Sequence, residues 1–298
     1  MERRKFLQSA TLTMGALTLA QHKILASFLD NPWNIKMLTD SIGIFNEKGG
    51  TIAFLLTKKG IAVVDAQFPD TAPHLIEELK KKSDKPFEVL INTHHHGDHT
   101  SGNIAFKGLV KHVLAHANSK INQEKAAKNR KTEDKQLYPD LTYTNTWCQS
   151  IGKEKICLHY FGPGHTNGDS LVHFQHANIV HMGDLVFNHR HPFIDKSAGA
   201  SVKNWIEILN KATNTFDNKT KYIYGHSGTG YDIVGTADDL KSFGDYLGKV
   251  LQFVESEIKA GKPKEEILKA TAIPGAPDWK GNGIDSPLSA AYEEITSQ

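Results

Sequence analysis

Four imidazoles and a carboxylate fall within six consecutive positions of Thr93-His94-His95-His96-Gly97-Asp98-His99-Thr100-Ser101-Gly102-Asn103. Neutral imidazole is the commonest protein ligand for zinc and similar ions, and a carboxylate adds a hard oxygen. In extended backbone, residues two apart point the same way, so His94 and His96 can grip one ion while His95 points away. Asp98 and His99 follow where the chain turns, so they can face a second ion. A lone His-x-His is as often a solvated polar loop, but His-x-His-x-Asp-His between a strand and a helix is far more specific. The context is right. The apolar, partly β-branched run Phe87 to Asn92 precedes the histidines, and Thr100, Ser101 and Asn103 suit a helix cap. The histidines therefore belong on a strand-to-helix loop, where α/β proteins place their chemistry.

The rest of the chain must position that loop. Strand-like runs cover 37–45, 51–57 and 60–65, with turns at Lys48-Gly49-Gly50 and Lys58-Lys59-Gly60. Residues 71–82 form an amphipathic helix with Leu75, Ile76 and Leu79 on one face and lysines at its end. A strand at 110–115 and a charged helix at 118–131 follow. Strands are expected at 142–148, 155–161, 170–175, 178–182 and 221–224, with a helix near 202–216. Residues 236–270 read as one long and one short helix, with Leu240, Phe243, Leu247, Leu251, Val254 and Ile258 at helical spacing. The tail from Ile273, rich in Pro and Gly, reads as surface coil. Strand pairs mixed with covering helices suggest two sheets packed face to face.

The histidine loop resembles the signature loop of the metallo-β-lactamase superfamily of metallohydrolases. Four further landmarks match in order. Asp65 ends the strand Gly60 to Asp65, His165 sits in Gly-Pro-Gly-His-Thr, Asp184 in His-Met-Gly-Asp-Leu, and His226 in Tyr-Gly-His-Ser-Gly. The resemblance covers roughly residues 36–230. It implies an α/β (α+β) fold, a four-layer αβ/βα sandwich with two mixed β-sheets face to face and helices outside. It also implies a dinuclear site: His94, His96 and His165 on one ion, Asp98, His99 and His226 on the other, Asp184 bridging, and Asp65 in support. Two Zn2+ are expected, with iron or manganese as alternatives. A metal-bound hydroxide, oriented by Asp98 as catalytic residue, would attack an ester, lactam, lactone or thioester. β-Lactamases proper usually carry Cys or Ser in place of Asp184, and one subclass has Lys at the position of Phe187. An Asp at position 184 resembles instead the glyoxalase II, lactonase and phosphodiesterase branches. The alternatives are a mononuclear iron oxidoreductase resembling persulfide dioxygenases, and a phosphodiesterase.

Other histidines are weaker candidates. His116 ends a strand near the site and is a candidate to support a ligand. His189 and His191, on the loop after Asp184, are candidates for substrate contact. His181 is expected to pack in a strand.

The 298 residues carry a net charge of +2 with both signs intermixed. No basic stripe marks a nucleic-acid binder, and a small-molecule substrate is expected. Residues 1–26, with Arg3-Arg4-Lys5 and an apolar run from Ala10 to Ala20, resemble a bacterial twin-arginine export signal. That implies a periplasmic or secreted enzyme, free of the membrane after signal removal, with 27–298 as a single domain. The two cysteines, Cys148 and Cys157, flank a predicted strand-turn-strand and face each other across it. They read either as a cross-strand disulfide or as two buried thiols.

Overall fold

The structure, a computed structural model, describes residues 32–297. The expected signal segment lies outside the described residues. The chain divides after Asn34, and everything below concerns the unit 35–298 with the strand that enters it.

Seven strands form the first sheet in chain order: β1 (Asn34–Met37), β2 (Ile42–Asn46), β3 (Ile52–Leu56), β4 (Ile61–Val64), β5 (Phe87–Ile91), β6 (Val110–His116) and β7 (Leu141–Tyr143). β2, β3 and β4 are antiparallel neighbours, while β4 to β7 run parallel. Parallel neighbours need crossovers. Helix α1 (Ala72–Lys82) provides one, the single turn α2 (Gly97–Thr100) opens the second, and α3 (Ala117–Arg130) provides the third. The second sheet has the order β15-β13-β11-β10-β9-β8. Its strands are β8 (Thr146–Ile151), β9 (Glu154–His159), β10 (Leu171–Phe174), β11 (Ile179–His181), β13 (Lys221–Ile223) and β15 (Val234–Gly235). The short strands β12 (Phe187–Asn188) and β14 (His226–Ser227) pair beside it. Helices α4 (Val202–Thr215), α5 (Ala237–Lys259), α6 (Lys264–Ile267) and α7 (Asp285–Thr296) complete the chain.

Alternation along the strands sorts the core into layers. Ile44, Val64 and Ile91 of the first sheet pack with Ile156, Val172 and Ile223 of the second in one buried cluster between the sheets. Val180 and Tyr222, next to inward-facing residues, turn outward to Trp205 on α4, Phe243 on α5 and Leu288 on α7. The expected four-layer sandwich is the observed fold.

Three local expectations change. Residues 37–45 form two strands, because the Thr39 hydroxyl accepts from Ser41 N and Ile42 N and bends the chain. The run 142–148 splits between sheets: β7 closes the first, β8 opens the second, and Asn145 O accepts from Tyr160 N at the crossing. The tail is not coil, since α7 buries Leu288, Ala290 and Ala291. Its Glu294 carboxylate accepts from Val202 N, Lys203 N and Ser201 Oγ, capping the start of α4. Cys148 and Cys157 are paired in a disulfide across β8 and β9.

Candidate metal centre

Each candidate ligand sits on a connection leaving a strand. Asp65 follows β4, His94 to His99 follow β5, Asp184 follows β11 and His226 opens β14 just after β13. Those four strands form one parallel pair in each sheet, and the carboxyl ends of both pairs meet at one edge of the sandwich. His165 arrives from the turn between β9 and β10.

All seven expected ligands converge. His96 Nδ1 lies 3.1 Å from His94 Nε2 and 2.8 Å from His165 Nε2. Asp184 Oδ2 stands 3.8 Å from His94 Nε2 and 3.5 Å from His165 Nε2. On the other side His226 Nε2 lies 3.1 Å from Asp98 Oδ2 and 3.5 Å from Asp184 Oδ2. His99 Nε2 lies 3.7 Å from Asp98 Oδ2. Asp184 is the member common to both halves.

The outward ring nitrogens decide which lone pairs point in. His165 Nδ1 is 2.8 Å from Phe193 O, and His99 Nδ1 is 2.8 Å from Asp65 Oδ2. His94 Nδ1 is 3.0 Å from the Thr93 hydroxyl, which itself donates to Asp65 Oδ2 at 2.7 Å. His96 Nε2 is 3.0 Å from Asp195 Oδ2. Asp65 thus fixes His99 directly and His94 through Thr93, and it also accepts from Thr93 N.

A test of fit lies in the unpaired atoms. His99 Nε2 and Asp184 Oδ1 are buried and make no hydrogen bond, although they stand 3.0 Å apart. Close polar atoms that are out of alignment, each aimed at common space, suit a shared cation better than each other. The donor set of five imidazoles and two carboxylates fits a pair of divalent ions.

The electrostatics differ between halves. Burial keeps the His94 and His165 rings neutral, with His165 pushed down to about 3. Burial also disfavours charge on His99 and His226, but the surrounding carboxylates, Asp184 foremost, outweigh it and lift His226 to about 9. Burial raises Asp98, yet His226 and His99 outweigh it and hold the carboxyl at about 2.

Glycines let these loops close. Gly183 has φ +52°, and a Cβ there would meet Thr93 at 2.7 Å. A Cβ on Gly225 would stand 2.0 Å from Asp184 Oδ1.

The centre opens into a cavity of about 660 Å³, whose walls include Phe68, Phe187, Phe193, Arg130, Arg190 and residues 282–286. Phe187 stacks on the His226 ring. The weaker candidates separate here. His191 lines the cavity, its Nδ1 2.8 Å from the Tyr246 hydroxyl. His189 does not reach it, because its ring is stacked between Tyr231 and Trp279. His116 does not support a ligand: one nitrogen bonds Thr144 O and the other accepts from Asn118 N, capping α3. His181 packs in β11, bonding Thr51 O and accepting from Gly183 N just before Asp184. His95 turns from both halves toward Asp195, at 3.4 Å.

Sequence reasoning missed Asp195. Its Oδ1 accepts from Ser197 Oγ and Ala198 N, and its own N–H donates to His165 O. Burial raises its carboxyl, but hydrogen bonds from His95, His96 and Ser197 outweigh that and hold it far below the usual range. No spacing rule ties it to a histidine 99 positions away.

Comparison with known proteins agrees with this geometry. A family model described as the metallo-beta-lactamase superfamily matches residues 47–226. The metallo-beta-lactamase IND-1 of Chryseobacterium indologenes is 25% identical over 189 residues, covering 62% of this chain and 76% of its own. Among solved structures, a metallo-beta-lactamase from Pontibacter korlensis superposes with a TM-score of 0.62 at 19% identity, covering 72% of this chain and 99% of that one. The sec-alkylsulfatase Pisa1 from a Pseudomonas species superposes with a TM-score of 0.71 at 13% identity, covering 87% and 50%. The two structures share the fold.

Proposed function

Since the chain belongs to the metallo-beta-lactamase superfamily, we propose that it is a dinuclear, zinc-dependent hydrolase of a small-molecule ester, lactam, lactone or thioester. The observation that carries this reading is the convergence of six candidate ligand side chains around one shared carboxylate, Asp184. Divalent ions bound there supply Lewis acidity and bring the pKa of water from about 15.7 toward about 7.

The protein's own groups do the rest. His94, His96 and His165 present ring nitrogens to one side of Asp184, and Asp98, His99 and His226 face it from the other. Asp98, half-buried and lining the cavity, orients the attacking water. Phe187 and Phe193 give the substrate an apolar wall and limit water around the reacting carbonyl. No serine or cysteine nucleophile is required. The twin-arginine start at Arg3-Arg4 supports export to the periplasm or beyond. Among the described residues no helix is long and apolar enough to cross a membrane.

The test joins metal analysis to a substrate screen. Protein purified from cells and reconstituted with zinc is expected to hold two ions per chain. It is expected to hydrolyse at least one of a β-lactam, a lactone, a thioester and an aryl ester. A single tightly held iron with oxygen uptake on a persulfide would move the protein to the oxidoreductase branch, and turnover of a phosphodiester alone would move it to the phosphodiesterases.

A further inference from the structure

The cavity carries a cation with no partner. Arg130 closes α3 and is exposed, and its guanidinium makes no hydrogen bond or ion pair with any described residue. It nevertheless reaches the ligand loop: a Cβ built on Gly97 would lie 3.7 Å from Arg130 Nη1 and 3.0 Å from Ser101 Oγ. Gly97 stands between His96 and Asp98, so this space adjoins the reacting centre. The Ser101 hydroxyl likewise has no hydrogen-bond partner among the described residues, and Gly97, Ser101 and Arg130 all line the cavity. A side chain at position 97 would fill the gap, whereas glycine leaves it open.

The neighbouring charges do not quench the guanidinium. Asp195, in the adjoining hollow, is engaged by His96, His95, Ser197 and Ala198. Asp98 is engaged by His226. Lys125 lines the adjoining hollow and not the cavity, so Arg130 is the one cation that α3 brings to the cavity. Asp285 is the rim carboxylate left, on the wall formed by 282–286, and Arg190 shares that cavity with it.

We propose that Arg130 and Ser101, across the bare backbone of Gly97, form a subsite for a carboxylate carried by the substrate beside its scissile bond. The planar guanidinium matches a carboxylate with two parallel hydrogen bonds, and the hydroxyl gives a third donor. One guanidinium balances one negative charge, which favours a monoanion over a phosphate dianion. The substrate class narrows to a monocarboxylate ester, lactam, lactone or thioester. This rests on the hydrolase reading above.

The test compares nitrophenyl butyrate with the nitrophenyl monoesters of succinate and glutarate on zinc-loaded protein. Glutarate binding is measured in parallel by calorimetry, with zinc and after chelation. The wild type is expected to favour one of the charged esters over butyrate by tenfold or more in kcat/KM, expressed in KM. Arg130→Ala collapses that ratio and weakens glutarate binding about tenfold in both metal states, with Arg130→Lys in between. An unchanged ratio and unchanged glutarate affinity in Arg130→Ala overturn the subsite while the hydrolase reading stands. Absence of turnover on every ester, with glutarate binding still lost in Arg130→Ala, sinks the esterase reading and keeps the subsite.

Discussion

His94 and His165 lie in a buried group where desolvation and neighbouring imidazoles keep the rings neutral. His99 and His226 lie among Asp65, Asp98 and Asp184, which draw protons onto them. The first half offers lone pairs to an ion directly. The second half is a charged network that an ion must enter by replacing protons. Each half also leans on its own carboxylate outside the ligand set: Asp195 holds His96, and Asp65 holds His99. The contrast teaches that one fold edge can present two sites of different character, separable by mutation although they share Asp184.

The largest expected effect comes from removing what they share. Asp184→Ala is expected to cut turnover by at least about a thousandfold, or ~4 kcal/mol of barrier. It should also reduce bound zinc, read by elemental analysis, below that of any single-half variant. Next is Asp98→Ala, expected to lower the rate by roughly 10²–10⁴. The fold should stay intact by circular dichroism and the first half should still bind zinc. Full turnover in this variant would sink the role given to Asp98. The outer carboxylates sharpen the contrast. Asp65→Asn and Asp195→Asn are each expected to weaken metal affinity by about 10–100-fold. In a stepwise zinc titration Asp195→Asn should move only the step assigned to His94, His96 and His165. Asp65→Asn should move chiefly the other. If both variants shift the same step, the two halves are not independent.

The smallest effect sets a baseline far from the ions. His173 and His159 face each other beside Phe216, and burial, then mutual repulsion, pushes His173 down to about 4. Its folded pKa lies below the unfolded value near 6.5, so the unfolded chain binds more protons between those limits. Stability is therefore complete above about pH 6.5 and declines as pH falls toward 4, by on the order of 1 kcal/mol after screening by solvent. His173→Gln should flatten that part of the melting-temperature profile in metal-free protein, and an unaltered profile would assign the acid loss elsewhere.

Legibility followed the backbone. The histidine loop could be read because its five chemical groups fall within six consecutive positions and sit between an apolar strand and a cap, and His165, Asp184 and His226 each stand in a short glycine-bearing turn. Asp195 could not be read, because its closeness to His96 exists only once the two sheets meet. The Thr144–Asn145 crossing was hidden because residues on both sides are strand-like. The last helix was masked by the glycines and prolines before it, although Leu288, Ala291 and Ile295 do recur at helical spacing. His189 was misplaced because proximity in sequence to Asp184 says nothing about which way a ring is stacked.

The last helix has a broader meaning. Residues 282–286 form one side of the cavity, and Ser286 and Glu294 fasten that side to Ile194 and to the start of α4. They lie wholly beyond the stretch, 47–226, in which the family pattern is written. One wall of the cavity is therefore encoded apart from the candidate ligands, whereas Phe68, Arg130, Phe187 and Phe193 share their stretch of polypeptide. Exchange of the carboxyl-terminal piece between relatives offers a route to altered selectivity that leaves every ligand untouched.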